Sequence, residues 1–424
     1  MQEYYCDLHL HGLYAGGVSD KMLIPVIAEQ AKAKGIQVAM TADIQHTKWL
    51  EHVKENLVEN ENGVFCDNKG NAHFILGTEV ESSDRVHHLA YFPDFNSVGE
   101  FREKIRKFGS LDCSMCGRPK LRLNAEQIAE MAFDSKGIFG PAHAFTPYTG
   151  IYAHYDSIAQ AYGEQAKKVD FIELGLSADT GLADLMDENH NYSFLSSSDA
   201  HSPWPHRLGR EFNKIRMQKP DFNSLRRALH EREEKLITLN AGLDPREGKY
   251  HCSACNSCYA KFTLAEAGKL GWKCPNCNGA IKKGVRDRIM ELANHKEEIH
   301  PDFRPDYSRL LPLAEIIQLS MGIASPTNEK VQAKWKEYID AFGTEINVLV
   351  EAKAEDLLCT DKSSAESILA FRNGWVHYIP GGGGNYGKPI ICLSQREFDL
   401  KKIEMKSELG CGSKKSAQKS LAEF

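Results

Sequence analysis

Over the first 218 residues, short apolar runs of β-type composition alternate with amphipathic helical stretches, and metal-capable side chains recur where the runs end. The runs read YYCDLHL, IQVAMTA, HFILGTE, HLAYF, GIFGPAH, DFIELGL and SFLSSSD. Between the first two lies KMLIPVIAEQAKAKG, a helical pattern with Gly35 at its C-terminal stop. Such alternation predicts an α/β fold: a mostly parallel sheet or barrel with helices packed outside. Asp43, Glu79, His143, Glu173 and Asp199 each sit in or just after the end of a run. The carboxyl ends of barrel strands converge on one mouth, where barrel enzymes carry their chemistry. One or two such residues are ordinary solvated strand ends; a set of this size favours a site.

The first run makes the point sharper. In YCDLHLH, residues 5–11, an aspartate and two histidines alternate with other residues. Alternation is the strand period, so Asp7, His9 and His11 share one face and form half a metal site. Further candidates follow as pairs: Asp43 with His46, Glu79 with His87, and Asp199 with His201, with His143 and Glu173 between the last two. Imidazole nitrogen with carboxylate oxygen suits zinc, manganese or iron, and a carboxylate such as Glu79 can bridge two ions. Ions a few ångströms apart can activate water and neutralise the attacking and leaving oxygens of a phosphoryl transfer. Asp43, Asp199 and His201 are the candidate catalytic residues, and Zn²⁺, Mn²⁺ or Mg²⁺ the candidate ions.

Cysteine usage marks a second metal site. Of twelve cysteines, five crowd between positions 252 and 277. CNSC at 255–258 and CPNC at 274–277 have the spacing of a structural zinc site on Cys255, Cys258, Cys274 and Cys277. Cys252 offers an alternative first knuckle in HCSAC. Lys282, Lys283, Arg286 and Arg288 follow closely, as a solvated helix start or as phosphate contacts. Cys113 and Cys116, in CSMC, are a redox pair, a surface disulfide or an incidental pair.

A net charge of −6 argues against a uniformly basic nucleic-acid binder, though local basic patches remain compatible with it. No apolar run approaches a membrane span, and MQEYYCDLHL lacks the basic and apolar regions of a signal peptide. The expectation is a cytoplasmic protein with no membrane contact.

The ligand set, in its order, resembles the polymerase-and-histidinol-phosphatase (PHP) family, whose members are distorted seven-stranded α/β barrels with two or three metals. His9-x-His11 matches the first motif, Asp43 with His46 a spread form of its Thr-Asp-His motif, and Glu79 with His87 the third. His143 matches the next ligand and Asp199-x-His201 the last. Two departures stand out: Glu173 lies where other members use cysteine or histidine, and His87 precedes its strand, with His88 as a rival. Four parts are then expected: a PHP catalytic domain over 1–218, a zinc ribbon over 219–304, a mainly helical, DNA-contacting domain over 305–410, and a flexible tail over 411–424.

A narrower resemblance runs through almost the whole chain. TADIQHTKW, GPAHAFTPYTGIYA, FIELGLSADT and SSSDAHSPWPHRLGRE, followed by the ribbon and PLAEIIQ, are similar to the endonuclease Q family of DNA-repair enzymes. That resemblance implies incision of DNA 5′ of deoxyuridine, deoxyinosine, deoxyxanthosine or an abasic site, leaving a 3′-hydroxyl and a 5′-phosphate. Arg207 and Arg210 suit phosphate clamping, beside Lys282 and Lys283. Phe145, Tyr148, Tyr152 and Trp204 are candidates to stack on a flipped nucleotide. The last residues, QKSLAEF, resemble a sliding-clamp (PCNA) interaction motif on Gln418, Leu421 and Phe424. A monomeric, nucleoid-associated enzyme is expected.

Overall fold

The computed structural model describes residues 1–60 and 63–408. Among these, no helix is long and apolar enough to cross a membrane. The chain divides into two compact units. The first comprises Met1–Lys32, Ile36–Gly242 and Leu292–Tyr307, and the second Ala33–Gly35, Leu243–Glu291 and Ser308–Phe424.

Every apolar run of the first unit becomes a strand. These are β1 (Gln2–Asp7), β2 (Val38–Met40), β5 (His73–Glu81), β6 (His87–Phe92), β7 (Ile138–Pro141), β8 (Phe171–Glu173) and β9 (Ser193–Leu195). The helix α1 (Ile24–Lys34) buries Ile24, Ile27, Ala28 and Ala31, one face at helical spacing. Gly35 follows it at φ +95°, where a side chain is strained. Four strands lie outside the expected set: β3 (Leu57–Asn60), β4 (Val64–Asp67), β10 (Phe212–Met217) and β11 (Ile237–Gly242). β3 and β4 form a hairpin, while β10 and β11 extend the sheet antiparallel beyond β1.

The ladders run β1–β2–β5 in parallel, then β5–β6 and β6–β7 antiparallel, with β8 parallel to β9. The sheet is therefore mixed rather than mostly parallel, and chain length gives the reason. Only residues 82–86 separate β5 from β6, too few for the crossover that parallel neighbours require. β6 turns straight back, which pairs Glu81 with His87. The beginning of β6 thus lies beside the end of β5. His87, the first residue of its strand rather than one before it, thereby reaches the mouth where the other candidate ligands lie.

In the second unit, β12 (Ala254–Cys255) and β13 (Ile281–Lys282) pair antiparallel around a core of Cys255, Ala267, Cys274 and Ile281. Ala260, Phe262 and Trp272 pack against it. Helices Leu313–Ser320, Glu329–Phe342, Glu345–Val350, Ala354–Thr360 and Lys362–Arg372 follow, then a hairpin of Val376–Ile379 with Lys388–Ile391. The glycine run lies in that hairpin's connection. A Cβ on Gly381 would stand 2.4 Å from the Gly248 carbonyl, so the run is a closely packed turn. The clamp-motif residues Gln418, Leu421 and Phe424 lie outside the described residues.

Candidate metal centre

His9 and His11 lie just past β1, fully buried. Asp7 does not join them as a ligand: its carboxylate accepts from the Ser198 and Gly209 amides at 3.0 and 2.9 Å. It thereby anchors the loop that carries Asp199. His9 Nε2, His11 Nε2 and Asp199 Oδ1 face one another, with separations of 3.6 Å from His9 and 3.2 Å from His11 to the aspartate. All three atoms are buried without a hydrogen-bond partner. Buried polar atoms without partners are costly, and a shared cation would satisfy all three at once.

A second group gathers Glu79, His87 and His143. Glu79 Oε1 stands 2.8 Å from His87 Nδ1 and 3.0 Å from His143 Nε2. Its other oxygen, Oε2, lies 3.4 Å from His11 Nε2. Glu79 therefore spans both groups, the geometry of a bridging carboxylate. His88, the rival to His87, instead meets the Tyr162 hydroxyl at 2.8 Å, and burial pushes it down to about 3.

The expected ligands Asp43 and Glu173 stand behind histidines. Glu173 lies 2.9 Å from His9 Nδ1 and accepts the His143 amide at 2.7 Å. Asp43 lies 3.2 Å from His11 Nδ1 and accepts the Gly12 amide at 2.6 Å. A carboxylate on Nδ1 fixes the tautomer that leaves Nε2 free for a metal. His201 lies beside His11, ring centres 4.4 Å apart and planes tilted by 52°, with Nδ1 3.0 Å from the Asp199 carbonyl. His46 stands apart: its ring stacks on Tyr14 and Nε2 donates to the Cys113 carbonyl at 3.2 Å.

Electrostatics agree with a cation-seeking site. Burial opposes charge on His9, yet Glu173, Asp199 and Glu79 together raise it well above the usual histidine range. His11, buried but beside Asp43 and Asp199, is raised to about 9. Glu79 is held well below the usual carboxylate range: burial opposes this, but His87, Arg118 and His9 prevail. The carboxylates that favour a charged imidazole here also favour a cation beside it.

Backbone geometry marks the same loops. Asp43, His143 and Asp199 have φ of 37°, 30° and 47°, a region that non-glycine residues seldom occupy. One neighbour was not foreseen: Arg118 Nη1 donates to Glu79 Oε2 at 3.2 Å. It follows Gly117, where a Cβ would stand 2.9 Å from the Asp43 carboxylate. The preceding Cys113 and Cys116 form a disulfide.

Comparison with known proteins places this geometry. The chain superposes on the lesion-specific endonuclease PfuEndoQ from Pyrococcus furiosus with a TM-score of 0.87 and 44% identity, covering 96% of this chain and 99% of that one. The chain belongs to the endonuclease Q family. An endonuclease Q crystallised with a 27-mer duplex bearing an abasic lesion at the active site matches at TM-score 0.86 and 44% identity, over 94% of this chain and 98% of that one. The uncharacterised protein MJ0043 of Methanocaldococcus jannaschii is 47% identical over 257 residues, 59% of this chain. The chain spans only 32% of that relative's length. A family described as the MJ0043 C-terminal domain matches residues 312–375.

In this chain, the residues expected to meet nucleic acid divide by exposure. Tyr148 and Trp204 are 43% and 41% exposed, on the loops that follow His143 and Asp199. Phe145 and Tyr152 are buried and stack on each other, so the core takes up both rings. Arg207 is exposed, while Arg210 Nε donates to the Ser198 carbonyl at 3.0 Å and steadies the Asp199 loop. Lys283 pairs with Glu291 at 2.7 Å and Arg288 with the same carboxylate at 3.5 Å.

The four cysteines of the ribbon gather as expected. The sulfurs of Cys255, Cys258, Cys274 and Cys277 all lie within 4.8 Å of one another. Cys252 is not in that group. Amides of the knuckle, chiefly those of Cys258 and Ser257, lower the Cys255 thiol to about 6, towards the thiolate that zinc requires.

Proposed function

We propose that this chain cuts damaged DNA immediately 5′ of the lesion, acting on deaminated bases (uracil, hypoxanthine, xanthine) and abasic sites, and leaves a 3′-hydroxyl and a 5′-phosphate. The observation that carries the reading is the trio of partnerless buried atoms, His9 Nε2, His11 Nε2 and Asp199 Oδ1, beside a carboxylate that spans to His87 and His143. The abasic duplex at the active site of a relative with 44% identity supports DNA as the substrate. Strands β1, β2, β5, β6, β7, β8 and β9 form, in this reading, the distorted barrel whose mouth holds the site.

Two or three divalent ions, when bound, supply Lewis-acid polarisation of the scissile phosphate and of the attacking water. The protein's own groups hold the geometry. His9, His11, Glu79, His87, His143, Asp199 and His201 are the ligands, with Asp43 and Glu173 setting the tautomers of His11 and His9. Asp199 and His201, partly exposed, serve the chemical step from the rim, and Asp43 serves it from behind His11. Arg118, which neutralises one edge of Glu79, and Arg207, free in solvent, hold phosphate oxygens. Tyr148 and Trp204 fill or face the gap left by an extruded nucleotide. Deaminated and abasic positions pair poorly and so cost less to extrude.

The ribbon holds one structural Zn²⁺ on Cys255, Cys258, Cys274 and Cys277, and with Lys282 and Lys283 adds DNA affinity. The tail residues Gln418, Leu421 and Phe424 dock on a sliding clamp (PCNA). The enzyme works as a monomer in the cytoplasm, on the nucleoid. Incubation with a uracil-containing duplex and, separately, a phosphomonoester, each with Mn²⁺ or Mg²⁺ and with chelator, tests the reading. Metal-dependent nicking at the lesion is expected. Turnover of the phosphomonoester alone replaces the proposal with a small-molecule phosphoesterase of the histidinol-phosphatase kind.

A further inference from the structure

A third group of metal-capable side chains shares no residue with the two sites already described. Asp187, His190 and His295 offer one ligand atom each within 4.8 Å of one another. Asp187 and His190 belong to the loop before β9, and His295 to Leu292–Tyr307, the stretch that returns to the first unit after the ribbon. We propose that these three residues form a structural site for a divalent ion of the zinc class, and that the ion staples the returning stretch to the loop.

The tautomer of His190 is the first support. Its Nε2 lies 2.9 Å from the Asp184 carbonyl, which only accepts, so Nε2 carries the hydrogen. Nδ1 then bears the lone pair, and it faces Asp187 Oδ1 at 3.8 Å. This is the arrangement of a metal-ligating histidine, with its other nitrogen fixed by a backbone carbonyl. His295 presents Nε2 to the same oxygen in a close contact. The two imidazoles stack, 5.8 Å between centres and 19° between planes, so both converge on the carboxylate from one side. Two imidazole nitrogens and one carboxylate oxygen suit zinc, with water completing the coordination at this partly exposed position.

The backbone around the trio is already fixed, as a ligand set requires. Asn294 Oδ1 accepts the Asp187 amide at 2.9 Å, and the amides of Asn294 and His295 both donate to the Leu185 carbonyl. The returning stretch otherwise has little apolar cover where the metal would lie: Lys296, Glu297 and Glu298 are exposed and Ile299 is 49% exposed. A metal bond there does what apolar packing does not.

The test uses the full chain with its other metals retained, and Zn²⁺ itself as the probe. Zn²⁺ is expected to protect His190 and His295 from carbethoxylation by diethyl pyrocarbonate, located by peptide mass mapping, while exposed His154 reacts unchanged. It is also expected to slow tryptic cleavage after Lys296. Asp187→Asn, which keeps the shape of the side chain, and His190→Ala are each expected to bind one zinc ion fewer than the parent and to lose the protection. The protection measurement needs no variant, so a misfolded mutant leaves it intact. Equal reactivity of His190 and His295 with and without Zn²⁺, or an unchanged zinc content in Asp187→Asn, overturns the proposal.

Discussion

The histidine–carboxylate centre and the cysteine ribbon gather metal-capable side chains in opposite ways. In the first, His9, His11 and Glu79 are fully buried at or near strand ends, and a shell of carboxylates and amides orients them. In the second, Cys258 and Cys277 are exposed, and two of the four residues in the local core are themselves cysteines of the cluster. The first site is thus built by a fold that exists without it. The second substitutes for a fold that so short a segment cannot otherwise maintain. Metal removal should therefore abolish chemistry at the one and structure at the other.

The largest effect tests the first half of that contrast. Asp199→Ala should lower incision by about a thousandfold, the scale set by removal of a principal charge-stabilising group. Melting temperature and most DNA affinity should persist. Loss of folding with loss of activity would show that this centre, too, is structural. Next, Cys274→Ser should release one zinc and raise hydrogen exchange across residues 250–282, while exchange in β1, β2 and β5 stays unchanged. DNA affinity should fall with it. Arg118→Met should follow, with incision reduced about tenfold and metal content retained, since Arg118 acts on a ligand rather than as one.

The smallest effect concerns Leu292–Tyr307. A hydrogen bond to Asp184 raises His300 above the ordinary histidine value, against the effect of burial. A raised value means that the pair contributes fully below about pH 6.5 and that its contribution is lost as pH rises through the raised value. The melting temperature of the parent should therefore exceed that of His300→Gln at pH 6, and the gap should close towards pH 9. A gap that widens with pH would reverse the assignment.

Strands β2 and β5 to β9 were legible because they are short apolar stretches sealed on both faces; in β5 every residue from Phe74 to Glu81 is buried. β10 was not, because FNKIRM sends Lys214 and Arg216 outward and reads as a polar connection. The direction of β6 was written in the length of its preceding loop, a signal that strand composition hides. The residues that gather at the centre were legible as types, since histidine and carboxylate rarely recur at strand ends by accident. Their ranks were not: whether Asp43 and Glu173 touch a metal or stand behind an imidazole depends on side-chain direction. Arg118 left no signal, for it lies on an irregular loop 39 residues from the carboxylate it meets.

The left-handed backbone at Asp43, His143 and Asp199 carries a consequence for how such a protein can change. Each residue occupies a conformation that glycine would adopt more easily, at a cost of about 1 kcal/mol or more apiece. Glycine there would relax the chain and delete a functional side chain in the same step. Selection for thermal stability alone would therefore drift towards an inert protein at these positions. On the proposed function, their side chains persist only while activity is under selection.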